Sequence, residues 1–502
     1  MKQYKVYTAC LLLFLLAGCF SAQAQKETWN WTFGTKAGLT WQPSKLRNMT
    51  LTGIGGTPNA MLNNLPGAFQ SKVSTIEGIF TMSDKEGNLL LYSDGMEIWN
   101  GMHEEIYAGL GGNNSSAQSG ILLPYPGSSD KFICIGLGQG NANNMGYVVV
   151  RANSPGNVTV EGNRLAFEGH SGLLGEAMTA VKHADDTDWW IVAPGRGPGS
   201  TLNAWRATLA GIERNTPVKT PIPLVITGPS SVSGYIKFTP DGKHFAWAMN
   251  SSYGIMIGDF DNSTGKFSNI RIITADKRYY GVEFSPNQEY LYTINDSDRS
   301  ICIGDFQALL KGTATKYRRE ITPGIASSIG ALQLDPFGRI WMAYQTGNGN
   351  NGLMVIDNPD DEPNAVNLYD LPAGFLVSGT KAQLGLPSFS ASFFTMKSIV
   401  VIPSTPCMAS EITFSIKVTV GEGDNKLTKL VWNFGDGKSK EENTNISGEY
   451  STTHTYTKAG TYILTLTPYR ANGTAISEKI VTKEIKVNPC SMPVNPNIHF
   501  IE

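Results

Sequence analysis

Cysteine and histidine are scarce in this chain, six of each among 502 residues. No cysteine sits in a Cys-x-x-Cys pair, and no histidines show His-Glu-x-x-His or His-x-His spacing. Metal sites need ligands clustered in that way, so no metal and no cofactor is expected. Charge is sparse as well: 16% of residues are Asp, Glu, Lys or Arg, and the net charge is −2. A polyanion binder carries a basic excess or a basic stripe. Neither is present, which argues against nucleic acid as a partner. Long apolar runs are also missing. The run Ala9–Ala17 is too short for a stable bilayer helix, and no later segment is longer, so no transmembrane span is expected.

What the chain has in quantity is Gly (54), Pro (26) and aromatic residues (10%). Many short strands joined by tight turns produce that balance, and long helices do not. The first residues read as an export signal, residues 1–24: Lys2 and Lys5 precede the short apolar run. Two processing routes fit. Ala22-Gln23-Ala24 before Gln25 is a small-x-small cleavage site, separating Ala24 from Gln25. Leu16-Ala17-Gly18-Cys19 is a lipobox that would place a lipid anchor on Cys19. Of the other cysteines, Cys134 and Cys302 lie in apolar strand patterns and read as buried thiols. Cys407 and Cys490 bracket the last domain, and export permits a disulfide between them.

An internal repeat organises residues 25–397. Its unit is an apolar strand, a turn rich in Asp, Pro, Asn or Gly, and a second apolar strand. It appears at GIFTMSDKEGNLLLYS around Asp84, at GILLPYPGSSDKFICIG around Asp130, and at EAMTAVKHADDTDWWIVA around Asp185 and Asp186. Three cleaner copies follow at Asp241, Asn287 and Phe337. A period of about 50 residues suits a four-stranded propeller blade, whose two faces are covered only by neighbouring blades. Six markers predict six blades. Strands within Trp29–Trp41 and a leftover strand in Leu384–Thr395 predict a seventh, built from both termini. Thr57–Lys72 and Gly109–Ala117 are expected to be loops. Residues 398–490 then read as short alternating strands of a sandwich, with a tail at 491–502. The predicted fold is therefore all-β, a seven-bladed propeller followed by an immunoglobulin-like sandwich.

Trp432-Asn433-Phe434-Gly435-Asp436-Gly437, then His454-Thr455-Tyr456 and Ala459-Gly460-Thr461-Tyr462, closely resembles the PKD domain. Asn433 stands where that family usually has Asp. The resemblance implies structural roles for Trp432, Phe434, Gly435, Asp436, Gly437, His454, Tyr456, Gly460 and Tyr462: Trp432 as a core anchor and Asp436 as the cap of the Gly435–Gly437 turn. It also implies a spacer or binding module. The region Trp29–Phe394, through stretches such as SDKEGNLLLYSDGMEIWN, IKFTPDGK, IGALQLDPFGRIWMA and LGLPSFSASFF, resembles the large propeller of secreted, surface-associated proteins of gliding and related Gram-negative bacteria. Many such relatives end in a type IX secretion signal. No stretch after the PKD-like segment resembles one, so a lipid anchor, an assembly partner and periplasmic residence all stay open.

Candidate chemistry is thin. His183, beside Asp185 and Asp186, reads as a general base or a turn histidine; His103, His170 and His244 are scattered. Asp259, Asp261 and Asn262 read as a calcium loop or a hairpin turn. Trp189, Trp190, Trp205 and Trp247 read as blade core or a sugar platform. The expectation is a non-enzymatic exported protein of the cell envelope or surface, whose propeller binds a protein or glycan and whose PKD-like module is a spacer or second contact. The alternatives are a propeller hydrolase, which needs two acids converging from different inner strands, and a lipid-anchored periplasmic assembly factor.

Overall fold

Each repeat turns on a short polar side chain. In the computed structural model of the protein, Asp84 Oδ1 accepts the N–H groups of Glu86 and Asn88 at 3.0 and 2.8 Å. Asp185 Oδ1 takes Thr187 and Asp188, both at 2.8 Å. Asp335 Oδ1 takes Phe337 and Arg339 at 2.8 and 2.9 Å, so Asp335, rather than Phe337, makes the sixth marker turn. Such turns reverse the chain without another strand's help. Each thereby joins an inner strand to its neighbour.

The structure describes residues 26–139, 144–228, 233–273, 277–394, 400–402, 406–418, 427–444, 448–470, 473–475 and 480–489. The chain divides into two compact units between residues 395 and 396. The first holds seven antiparallel sheets. In chain order, blades one to six span residues 80–108, 120–166, 173–221, 236–273, 279–321 and 328–370, and a three-stranded sheet within 30–74 is the seventh. Neighbouring inner strands pack against one another around the ring. The strand Trp189–Arg196 is buried along its whole length, as a strand covered on both faces should be. The third blade carries six strands instead of four.

Two expectations about closure are corrected. Residues 57–72 are not a loop: Ala60–Leu65 and Gly67–Ser74 are strands. Among the described residues, the seventh sheet meets the C-terminal part of the propeller by backbone bonds only at Lys381, whose N–H and C=O bond Thr35 at 3.0 and 2.9 Å, and the sixth sheet joins both ends by full strand pairing. Its outer strand pairs with Arg47–Ile54, Thr52 opposite Asp370 and Ile54 opposite Leu368, and Ala60–Leu65 adds outside it. This pairing of distant segments, joined by a bond from Leu368 N–H to Thr57 Oγ1 at 3.1 Å across 311 residues of sequence, removes an open edge. Beside this closure Trp41 packs at 4.6 Å from Trp31 and 5.8 Å from Trp341.

The segment 384–394 is no strand either. Leu384 donates to Ile76 O at 2.8 Å and accepts from Ala331 N at 2.7 Å; Ser388 donates to Ile79 O at 2.8 Å. Further on, Ser390 Oγ donates to Ala180 O at 2.8 Å, and Ser392 Oγ accepts from Lys182 N at 3.0 Å. It therefore touches blades six, one and three in turn, which only a path along the ring axis allows. Every residue from 385 to 394 is buried. The propeller's channel is filled by its own chain.

The second unit is a sandwich of two sheets. One joins 400–402, 412–418 and 448–454; the other joins 439–443, 427–433, 460–470 and 481–487. Phe414, Trp432, Phe434, Tyr456, Leu464 and Leu466 fill the space between them.

Candidate functional site

Polar groups on the inner strands are few, and they are joined. Lys237 Nζ lies 2.5 Å from Glu283 Oε2, 2.7 Å from Gln333 Oε1 and 3.0 Å from Leu332 O. Glu283 also accepts Leu334 N at 2.9 Å and Phe284 N at 3.0 Å. Lys237 and Glu283 side chains are only 4% and 6% exposed. A buried pair holds its place only when its remaining hydrogen bonds are met. Here they are, and the network ties the inner strands of blades four, five and six. The sequence reading missed it. The signal was available: Lys-Phe-Thr-Pro, Glu-Phe-Ser-Pro and Gln-Leu-Asp-Pro put the three residues at one repeat position.

A second cluster lies where connections enter the inner strands. Glu77 comes from the connection into blade one and Glu176 from the connection into blade three. Ser115 Oγ donates to Glu77 Oε2 at 3.4 Å, and Ala117 N donates to Glu176 Oε2 at 3.4 Å. Burial pushes the Glu77 carboxyl up to about 7; the Tyr280 hydroxyl draws it down, and the Glu176 carboxylate adds to the rise. Tyr280 packs edge-on against Tyr235 at 5.6 Å. A carboxyl poised near neutrality can give or take a proton. The sequence treated neither acid as a candidate, because they converge only when blades one and three face one axis.

Three of the histidines make structural hydrogen bonds. His183 Nδ1 sits 2.9 Å from Asp185 Oδ2, and its Nε2 is 3.1 Å from Ser263 O, bridging two blades. His103 Nδ1 meets Tyr92 Oη at 2.9 Å, and His170 Nδ1 meets Gly172 O at 3.0 Å. Asp261 makes the expected turn, its oxygens accepting Ser263 Oγ at 2.6 Å and Thr264 Oγ1 at 2.7 Å. Those bonds pull its carboxyl down to about 2. Asp259 faces elsewhere, toward His244. Among the described residues no three His, Cys, Asp or Glu converge as metal ligands. Trp189, Trp190, Trp205 and Trp247 are buried core. Cys134 and Cys302 are buried free thiols, the latter pushed up to about 12 first by burial. Cys19, Ala24, Gln25 and Cys490 lie outside the described residues. Cys407 is disulfide-bonded, and its neighbours Pro406 and Met408 hydrogen-bond Asn488.

The motif of the second unit builds its corner. Asp436 Oδ2 is 2.8 Å from His454 Nε2. The His454 ring stacks on Phe434 at 4.0 Å and meets Tyr456 edge-on at 4.7 Å. Tyr456 Oη donates to Phe434 O at 2.8 Å, and its ring stacks on Tyr462 at 4.2 Å. Gly435 and Gly437 take φ of 79° and 88°, the left-handed region that glycine enters without strain. Asn433 Oδ1 accepts Gly435 N at 3.0 Å, which an aspartate oxygen would do as well. Trp432 is fully buried, and Gly460 opens the strand Gly460–Arg470. Residues 400–485 match the family model for this motif, described as "PKD domain". Residues 400–485 are a PKD domain. The PKD domain's motif residues are thus spent on its own packing.

Ring-shaped solved proteins align with most of the chain. A protein assigned as a 6-phosphogluconolactonase from Bacteroides fragilis is 12% identical, with a TM-score of 0.44, over 71% of this chain and 96% of its own. A similarly assigned protein from Bacteroides uniformis is 13% identical, with a TM-score of 0.37, over 75% and 98%. The periplasmic gluconolactonase of Pseudomonas aeruginosa is 9% identical, with a TM-score of 0.36, over 78% and 91%. Likenesses at these values carry nothing about chemistry. No described helix is long and apolar enough to cross a membrane.

Proposed function

We propose that this is an exported, non-enzymatic binding scaffold of the cell envelope or surface, with the PKD domain as spacer or second contact. The observation that carries the reading is the filled axis. With residues 384–394 in the channel, the propeller is a solid disc whose rim and faces are left for partners. The face bearing the connections from each outer strand to the next inner strand exposes apolar side chains: Ile76 (46%), Leu173 (39%), Val225 (59%) and Ile325 (39%). Exposed apolar groups gathered on one face suit a protein partner or the apolar face of a glycan. Membership of the type IX secretion-associated group is part of this proposal, as is processing at Gln25 or lipidation at Cys19. The test is binding of the purified chain to cell envelopes. Charged replacements I76E and V225E should abolish it while leaving the melting curve unchanged; retained binding rejects this face.

One observation favours a second reading, a hydrolase of glycans or peptides. Glu77 near neutrality beside Glu176 is the electrostatic arrangement of an acid–base pair. Turnover of lactone or glycoside substrates that vanishes in E77Q supports it, and identical rates in both proteins reject it.

A further inference from the structure

Blade five carries an insertion in its repeat. Between the third and fourth strands of blade five the chain forms the helix Phe306–Lys311, capped by Asp305 and ended by Gly312 in the left-handed conformation. It is the only α-helix among the described residues. Facing it, blade four carries a bulge between Ile257 and Asp259. There Asn269 takes φ of 49°, the left-handed region that asparagine enters more readily than other residues with a side chain. Bulges of this kind re-aim side chains at sheet edges and beside binding surfaces.

Helix and bulge enclose a groove of about 580 Å³, lined by His244, Asp259, Asn269, Ile270, Arg271, Gln307, Leu310 and Lys311. Its polar wall is ordered from behind. Asp259 Oδ1 holds His244 Nδ1 at 2.8 Å and its Oδ2 accepts from Asn269 Nδ2. The imidazole packs edge-on against Phe306 at 5.5 Å. With Nδ1 committed to Asp259, Nε2 has no partner among the described residues. Arg271 and Lys311 have no acidic partner among the described residues either. The Arg271 guanidinium lies over Gly312, where a Cβ would come within 2.2 Å of Nη2, so the glycine makes room for it. The one acid in the groove spends both oxygens on His244 and Asn269, and two cations remain uncommitted.

We infer that this groove binds an acidic sugar, its carboxylate between Arg271 and Lys311. Asn269, Gln307 and His244 Nε2 supply hydrogen bonds to ring hydroxyls, and Ile270 and Leu310 take the apolar face of the ring. Guanidinium matches a carboxylate in two-point geometry, and the volume is that of a small-ligand site. The inference rests on the glycan reading of the scaffold, at a site away from the apolar face.

The test is isothermal titration and saturation-transfer NMR on the whole chain, with glucuronate as probe and glucose and inorganic sulfate as comparators. Glucuronate binds, weakens as salt rises, and loses at least tenfold in affinity in R271A and in K311A. Both side chains are exposed, so the variants keep their melting curves. Glucose binding as well as glucuronate, sulfate binding alone, unchanged affinity in both variants, or no glucuronate signal at about 10 mM each overturns it. The I76E/V225E protein should bind glucuronate normally, which separates failure of this site from failure of the apolar face.

Discussion

Gly385 lies against the backbone carbonyl of Glu77: a Cβ at Gly385 would stand 1.3 Å from that oxygen. The axial segment therefore has no room for any side chain where it enters the ring. G385A should force the segment off its hydrogen bonds to Ile76 and cost about 3 kcal/mol or more, the range for overpacked or broken buried sites. G374A, with nothing within 4 Å, should melt like the parent. Equal melting of the two variants would falsify the threaded-axis structure.

Glu77 should make stability fall as pH rises. Its carboxyl is held at about 7, above the ordinary 4.5. The folded protein thus keeps a proton that the unfolded chain has lost. Its contribution is complete below pH 4.5 and is lost progressively up to about 7, at no more than about 1.4 kcal/mol per pH unit. Urea denaturation between pH 4.5 and 7.5 should show this slope, and E77Q should flatten it. A parallel slope in E77Q rejects the assignment.

Lys237 is worth more as a partner than as a charge. K237A leaves Glu283 buried and uncompensated and should cost about 3–5 kcal/mol. The double variant K237M/E283Q, which removes both charges, should recover part of that loss. Chemical denaturation of the single and double variants measures the coupling; simple additivity would count against the network.

In the PKD domain, Y456F removes the bond to the Phe434 carbonyl and leaves a buried acceptor unpaired. The expected cost is about 1–3 kcal/mol. N433D should be close to neutral, because either side chain can accept the Gly435 N–H. Thermal melts of residues 396–502 within the full chain, followed by Trp432 fluorescence, distinguish these outcomes.

Cys407 is bonded, and we propose Cys490 as its partner. C490S should then expose a Cys407 thiol that alkylates without reductant, and lower stability by up to about 4 kcal/mol for a loop of that length. An unreactive Cys407 in C490S points to another partner.

The repeat was readable because its punctuation is local. An Asp or Asn that caps its own turn does so in any context, and apolar strands on either side follow from burial on two faces. That put all seven blades and the PKD domain within reach of the sequence. Residues 57–72 look like a loop because of their Gly and Asn; pairing of Ala60–Leu65 with Arg47–Ile54, and of Gly67–Ser74 with Thr35–Thr40, makes most of that stretch strand. Lys237, Glu283 and Gln333 stood in the sequence as polar intrusions at one repeat position, legible only to a reading that aligned the copies.

By itself, then, the sequence determined the elements: strand, turn, strand, about every 50 residues, and a PKD corner fixed by short-range residues. Turn chemistry and alternation act over a few residues and need no tertiary partner. Only the tertiary structure decided how the ring closes, that residues 384–394 fill its axis, that Glu77 meets Glu176, and that His244, Arg271 and Lys311 share a groove. Those relations join residues tens to hundreds apart. Their energies come from burial and Coulomb interaction in a space that exists only once the blades are in place.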